Sequence, residues 1–237
     1  MRERYGIDAP GVVRAFALLG AAVTVLVVVA YALLDGWLRV VVVTLLGIYM
    51  VDCWVQLGWM LHSSLAGKRR FWARELDRLG LRGDERVLEV GPGRGAVLVQ
   101  VAKRLPRGRA VGVDIWRQQD QSGNGPEALL SNARIAGVED RIDVRDGDMR
   151  ALPCEDGEFD VVVASFAIHN LPAGDQARAV AEIVRVLKPG GRVVIMDFRG
   201  TAHYADVLRR SGARSVRRSR LRWQLHPPVR VVTASVG

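Results

Sequence analysis

The sequence predicts an α/β fold, a doubly wound and mostly parallel sheet, preceded by an α-helical transmembrane hairpin. Three observations carry this expectation. Val87-Leu88-Glu89-Val90 is an apolar strand that runs directly into a glycine-spaced turn, Gly91-Pro92-Gly93-Arg94-Gly95. A second apolar run, 109–114, ends on Asp114 about 20 residues later, where an acid meets the ribose hydroxyls of a nucleoside held at such a turn. Ahead of both, residues 11–34 and 37–61 are almost wholly apolar and are joined by the turn pair Asp35-Gly36.

The hairpin comes first along the chain. At about 1.5 Å per residue either apolar run is long enough to cross a hydrocarbon core of about 30 Å. Neither carries the polar stripe of a surface-lying helix; a buried hairpin in a soluble core is the alternative. A cleaved secretory signal is disfavoured, because the first run outlasts a signal core and a second follows at once. Arg2, Arg4 and Arg14 flank the first run, and Lys68, Arg69 and Arg70 follow the second. The positive-inside rule therefore places both ends in the cytoplasm, a two-pass arrangement in the cell membrane. The domain division follows as 1–66 for the hairpin and 67–237 for the α/β domain. Asp52 is costly within an apolar span. It is expected either to pair with Arg14 or snorkel to the interface near the cytoplasmic end or, with His62, to line a path by which the polar head of a lipophilic substrate reaches the active site.

The elements of the α/β domain alternate. A linking helix is expected at 71–79, a strand at 87–90, and a helix at 96–105 stopped by Pro106. Then come a strand at 109–114, a helix at 126–136, and strands at 142–145 and 159–165. A helix at 175–187, a strand at 192–198 and a helix at 202–210 lead to two last strands at 215–223 and 229–235. Alternation of this kind implies parallel strands with helices on both faces. Ligands then bind at the C-terminal edge of the strands, which gathers Gly91, Asp114, Asp148, Ser165 and Asp197. The polar loop 115–126 rises from the same edge, either to close over a ligand or as ordinary surface.

The turn separates two classes of nucleoside ligand. A dinucleotide site would place a pyrophosphate beside Glu89, which would repel it; a ligand bearing an ammonium and a sulfonium suits that acid. Four stretches then resemble class I S-adenosylmethionine-dependent methyltransferases in order and spacing: 87–95 with Asp114, 145–149, 159–166 and 187–197. The resemblance covers roughly residues 70 to 237. It implies a Rossmann-like seven-stranded sheet and S-adenosylmethionine as cofactor, held by Glu89, Gly91, Gly93, Gly95, Asp114, Ile115, Asp148, Met149 and Ser165. Asp148 inherits the contact to the adenine amino group. His169, just after the fourth strand, is the candidate catalytic base, with a structural role as its alternative. Cys53 and Cys154 lie far apart in different contexts, so neither a disulfide framework nor a thiolate metal site is expected.

The net charge of +9 is concentrated in Arg209, Arg210, Arg214, Arg217, Arg218, Arg220 and Arg222. Beside a membrane hairpin such a cluster suits anionic headgroups or simple solvation; without an RNA-binding platform or a zinc module, nucleic acid is not expected. The expected function is methyl transfer to a small acceptor that is lipophilic or delivered by the membrane, with membrane lipid and a second copy of the hairpin as possible partners. A water-soluble acceptor with the hairpin as mere anchor, or a noncatalytic cofactor-binding membrane protein, are the alternatives.

Overall fold

The computed structural model of the chain describes residues 3–117 and 121–237. Arg2 of the first flank, and Gln118, Gln119 and Asp120 of the polar loop, lie outside the described residues.

Helices α1 (Pro10–Leu33) and α2 (Gly36–His62) form the antiparallel hairpin. Pro10 opens α1 at a position where its missing N–H costs nothing. At the turn Arg39 pairs with Asp35 at 2.6 Å and lies over the Tyr31 ring. The seam is close because Gly20 has no side chain: a Cβ there would sit 3.2 Å from the Trp54 ring. Trp54 Nε1 donates to Thr24 Oγ1 across the same seam at 3.2 Å. Leu18, Val25, Val28, Val40, Leu45 and Ile48 face outward and are exposed. Both helices are long and apolar enough to cross a membrane. The seam corrects the expected partner of Asp52, which accepts a hydrogen bond from Gln56 Nε2, one turn on in α2, rather than pairing with Arg14.

Helix α2 does not stop where the sequence places a domain boundary. A π turn (Ser63–Gly67) carries it into α3 (Lys68–Leu79), so that 36–79 is one continuous helical rod. Lys68, Phe71, Trp72, Glu75 and Leu76 are buried at helical spacing and seat the far end of the rod on the sheet. Gly67 admits Leu225 to the rod, whose side chain lies 3.0 Å from where a Cβ would stand.

Seven strands follow: β1 (Arg86–Val90), β2 (Arg109–Asp114), β3 (Ile142–Asp146), β4 (Phe159–Ser165), β5 (Leu187–Asp197), β6 (Arg214–Arg218) and β7 (Arg230–Ser235). Their order is β3-β2-β1-β4-β5-β7-β6, with the first five parallel and β7 antiparallel to both neighbours. Successive residues serve opposite faces. Leu88, Val111, Val162 and Val193 enter one core; Val87, Ala110, Val161 and Val194 enter the other. Burial on both faces explains why these strands read as continuous apolar runs. Helices α4 (Leu98–Lys103), α5 (Pro126–Ile135), α6 (Ala173–Arg185) and α7 (Thr201–Arg210) complete the layers.

Two boundaries differ from expectation for local reasons. Strand β5 starts five residues early, because Leu187 already pairs with Phe159 before a register shift leads to the Arg192–Val161 pair. Strand β6 ends at Arg218, and after Ser219, whose N–H still donates to the Val231 carbonyl, 220–229 leaves the ladder except at the Arg222–Val229 bridge. The arginines of 209–222 are dispersed. Arg209 pairs with Asp206, Arg218 donates to Thr201, and Arg222 reaches Glu75. Arg214 and Arg217 stay exposed on edge strand β6, where like charge discourages pairing with another chain.

Trp72 is fully buried between the rod and the sheet and donates to Ser165 Oγ at 2.9 Å. Trp72→Ala is expected to cost about 3–5 kcal/mol, as for other buried aromatics. Denaturant unfolding of the full chain in micelles measures it.

Candidate active site

The site grows from the end of β1. Gly91 and Gly93 have φ of +71° and +53°, a region that side chains resist. A Cβ on Gly91 would lie 2.6 Å from the Ala167 methyl, and one on Gly93 2.4 Å from Gln121 Oε1. Gly95 shares that backbone, with φ of +79°, and its Cβ would meet Leu129 at 3.0 Å. The turn is held by side chains from the next loop. Asp114 Oδ2 accepts from Gly93 N–H at 2.9 Å, Asp114 Oδ1 accepts from Trp116 N–H at 2.8 Å, and Gln121 Oε1 accepts from Arg94 N–H at 2.8 Å.

These elements enclose a cavity of about 80 Å³. Of the residues expected at the cofactor, Glu89, Gly91, Gly93, Asp114, Ile115, Met149 and Ser165 line it. Gly95 and Asp148 do not. Asp148 is engaged by Arg150 at 2.6 Å, and Arg150 also binds Asp175. The Arg150 contacts hold the Asp148 carboxyl below its usual range.

Sequence reasoning missed three charged lining residues: Asp8 and Lys68, which pair with each other, and Arg117, which is exposed at the rim. Residues 3–9 fold back as a strap over the α/β domain: Arg4 N–H donates to Asn132 Oδ1, Ile7 N–H to Ser122 Oγ, and Lys103 pairs with Glu3. At the end of this strap both Asp8 carboxylate oxygens lie 2.8 Å from Lys68 Nζ, and Oδ1 also accepts from Gln121 Nε2. Lys68 had been legible only as a topology-setting charge, and nothing in the sequence marked Asp8.

Glu89 is 1% exposed and its Oε2 has no partner among the described residues. Burial pushes its carboxyl up to about 8, against the opposing pull of the Lys68 charge. A buried acid with one unpartnered oxygen, a buried cation, a glycine cradle and Asp114 together fit a nucleoside that carries an ammonium and a carboxylate. S-adenosylmethionine is such a molecule.

A second cavity, of about 180 Å³, adjoins the first and shares Asp8, Phe166 and Asn170 with it. Ala9 at the strap's end, Met60 and Ser64 from the rod, His226 and Pro227 from 220–229, and Phe198 and His169 from the sheet edge complete its wall. His169 therefore faces the second cavity, not the first. Its Nδ1 lies 2.8 Å from Asp197 Oδ1 but is poorly aligned for a hydrogen bond, so the contact is electrostatic. Asp197 is fully buried and accepts from His169 N–H, Phe198 N–H and Tyr204 OH. The imidazole sits against Phe198 and edge-on to Phe166. Asp52 and His62 line neither cavity; Met60 and Ser64 present the rod to the second one instead.

Residues 88–195 match the protein family described as a methyltransferase domain. Fold and site together define this part of the chain as a class I S-adenosylmethionine-dependent methyltransferase domain. The chain is similar to a ubiquinone/menaquinone biosynthesis C-methyltransferase of Geobacter sp. strain M21, 32% identical over 136 residues, 57% of this chain and 54% of that protein. It is also similar to a demethylmenaquinone methyltransferase of Lactiplantibacillus plantarum, 33% identical over 135 residues, 55% of this chain and 53% of that protein. The chain thus spans about half the length of these curated relatives. Among solved structures, the [4+2]-cyclase SpnF aligns with a TM-score of 0.60 at 20% identity, over 71% of this chain and 82% of that one. An S-adenosylmethionine-dependent methyltransferase from Aquifex aeolicus aligns at 0.53 and 19% identity, over 70% and 89%. At such identities the structures speak for the fold alone.

Two outcomes are expected. Gly91→Ala should abolish S-adenosylhomocysteine binding in titration calorimetry, since the methyl group meets Ala167 and the backbone resists φ of +71°. Affinity for the same ligand should rise with pH up to about 8 and then level. Glu89 must give up its proton to meet the ligand ammonium, and above its raised value it is already ionised. Glu89→Gln should bind more weakly and lose that slope.

Proposed function

We propose that the chain is a two-pass membrane methyltransferase whose acceptor is a lipophilic molecule drawn from the bilayer, with the termini and the α/β domain on the cytoplasmic side. The observation that carries this is the second cavity, walled on one side by the end of an apolar helix and on the other by His169 and the sheet edge. An acceptor with a buried tail and a reactive ring fits that wall better than a small polar metabolite does. Similarity to a ubiquinone/menaquinone biosynthesis C-methyltransferase and to a demethylmenaquinone methyltransferase supports a prenylated quinone precursor as acceptor and carbon as the atom methylated.

Glu89 and Lys68 would hold the amino-acid end of the cofactor, Asp114 its ribose, and Ile115 and Met149 its base. When bound, S-adenosylmethionine supplies an electrophilic methyl group with a neutral thioether as leaving group. The chain contributes alignment and the exclusion of water. His169 Nε2, with no hydrogen bond among the described residues, takes the proton that the acceptor loses. The buried Asp197 carboxylate beside Nδ1 stabilises the imidazolium that results. Phe166 and Phe198 fix the ring for that transfer.

The full chain in lipid nanodiscs, offered a prenylated hydroquinone and a tail-less analogue, should methylate the first and scarcely the second by mass spectrometry. Equal turnover of both would favour the soluble-acceptor alternative. His169→Ala should lower kcat by about 100-fold or more, the scale of general base catalysis. Affinity for S-adenosylhomocysteine should not change, because His169 lies outside the first cavity.

A further inference from the structure

The first cavity already contains an ion pair of the kind an amino-acid ligand would make. Lys68 is buried, lines the cavity, and holds both oxygens of the Asp8 carboxylate at 2.8 Å. That is the geometry in which an ammonium receives a free carboxylate. We propose that Lys68 binds the amino-acid carboxylate of S-adenosylmethionine, and that Asp8 is an internal stand-in for it, displaced from Lys68 when the cofactor enters. The inference rests on the cofactor assignment above.

Three observations support the exchange. The cavity measures about 80 Å³, whereas small-molecule sites run to about 300–1,000 Å³, and of the strap only Asp8 lines it, its carboxylate filling the space beside Lys68 that the ligand carboxylate needs. The charges also match. Glu89, with its unpartnered oxygen, suits the ligand ammonium, and Lys68 suits the carboxylate. A ligand carboxylate arriving while Asp8 stayed in place would put two anions on one cation, which is unfavourable. Finally, Asp8 has an exit. Its side chain is 31% exposed, and it precedes Ala9, whose φ of 46° places a non-glycine residue in the left-handed region, just before Pro10 opens α1. Rotation of the side chain toward its exposed side would take the carboxylate off Lys68 while the Asp8 N–H bond to Ser64 Oγ and α1 stay in place.

The test compares S-adenosylmethionine with its decarboxylated form, which differs in the carboxylate alone, by equilibrium binding to the full chain in micelles. Lys68→Met should weaken S-adenosylmethionine about tenfold or more, on the scale of a lost charge-assisted hydrogen bond, and leave the decarboxylated form almost unchanged. Asp8→Asn should tighten S-adenosylmethionine and not the decarboxylated form. If Lys68→Met does not fold, the Asp8→Asn affinity ratio decides alone. Equal losses for both ligands in Lys68→Met would make Lys68 structural and overturn the proposal. Weaker S-adenosylmethionine binding in Asp8→Asn would overturn the displacement. Failure of the folded wild-type chain to bind either ligand would instead overturn the cofactor assignment and this inference with it.

Discussion

The helical rod 36–79 is the constraint on which the functional face depends. A helix transmits rotation and position through unbroken hydrogen bonds, so the placement of α2 dictates where Met60, Ser64, Lys68 and Trp72 arrive. Trp72 locks the far end, buried against the sheet and bonded to Ser165 beside the glycine turn. A flexible linker would have left the hairpin and the α/β domain free to reorient. Here the rod itself walls both cavities.

The second support for this junction comes from the end of the chain. The segment 220–229 leaves the sheet after β6 and lies against the rod: Leu225 fits over Gly67, His226 N–H donates to Ser63 Oγ, and the His226 ring meets Gln56 and Trp59. Trp223 stacks on Trp59 on the same side. Asp52, Gln56 and His226 thus form a polar relay along one face of α2, which accounts for the polar residues in an otherwise apolar helix. The strap adds a third tie from the N-terminal side through Asp8 N–H to Ser64 Oγ.

The charges of the site follow one rule. Each buried ionisable group is either paired or placed where a ligand of opposite charge would arrive. Lys68 has Asp8, Asp197 has three N–H or O–H donors and the His169 ring, and Asp114 has the turn amides. Glu89, with one unpartnered oxygen in the cavity, falls under the second half of that rule, and its raised titration records the cost of its burial. Such a cost is expected at a ligand site rather than in a structural core.

The α/β layer was legible in the sequence because its strands are buried on both faces and its glycine turn leaves no room for side chains. Val87–Val90, Asp114 and the alternation of helix and strand are local signals of that kind. The hairpin was legible for a similar reason: 11–34 and 37–61 carry their apolarity residue by residue. Asp8, the cavity face of Lys68, and the pairing of His169 with Asp197 were not legible. Each depends on chain segments 28 to 60 residues apart meeting in space, and a lone aspartate or lysine looks the same in sequence whether it faces solvent or a ligand. Composition and periodicity, being local, determined the layers and the hairpin; long-range packing alone decided which charges meet, and so where the two cavities lie.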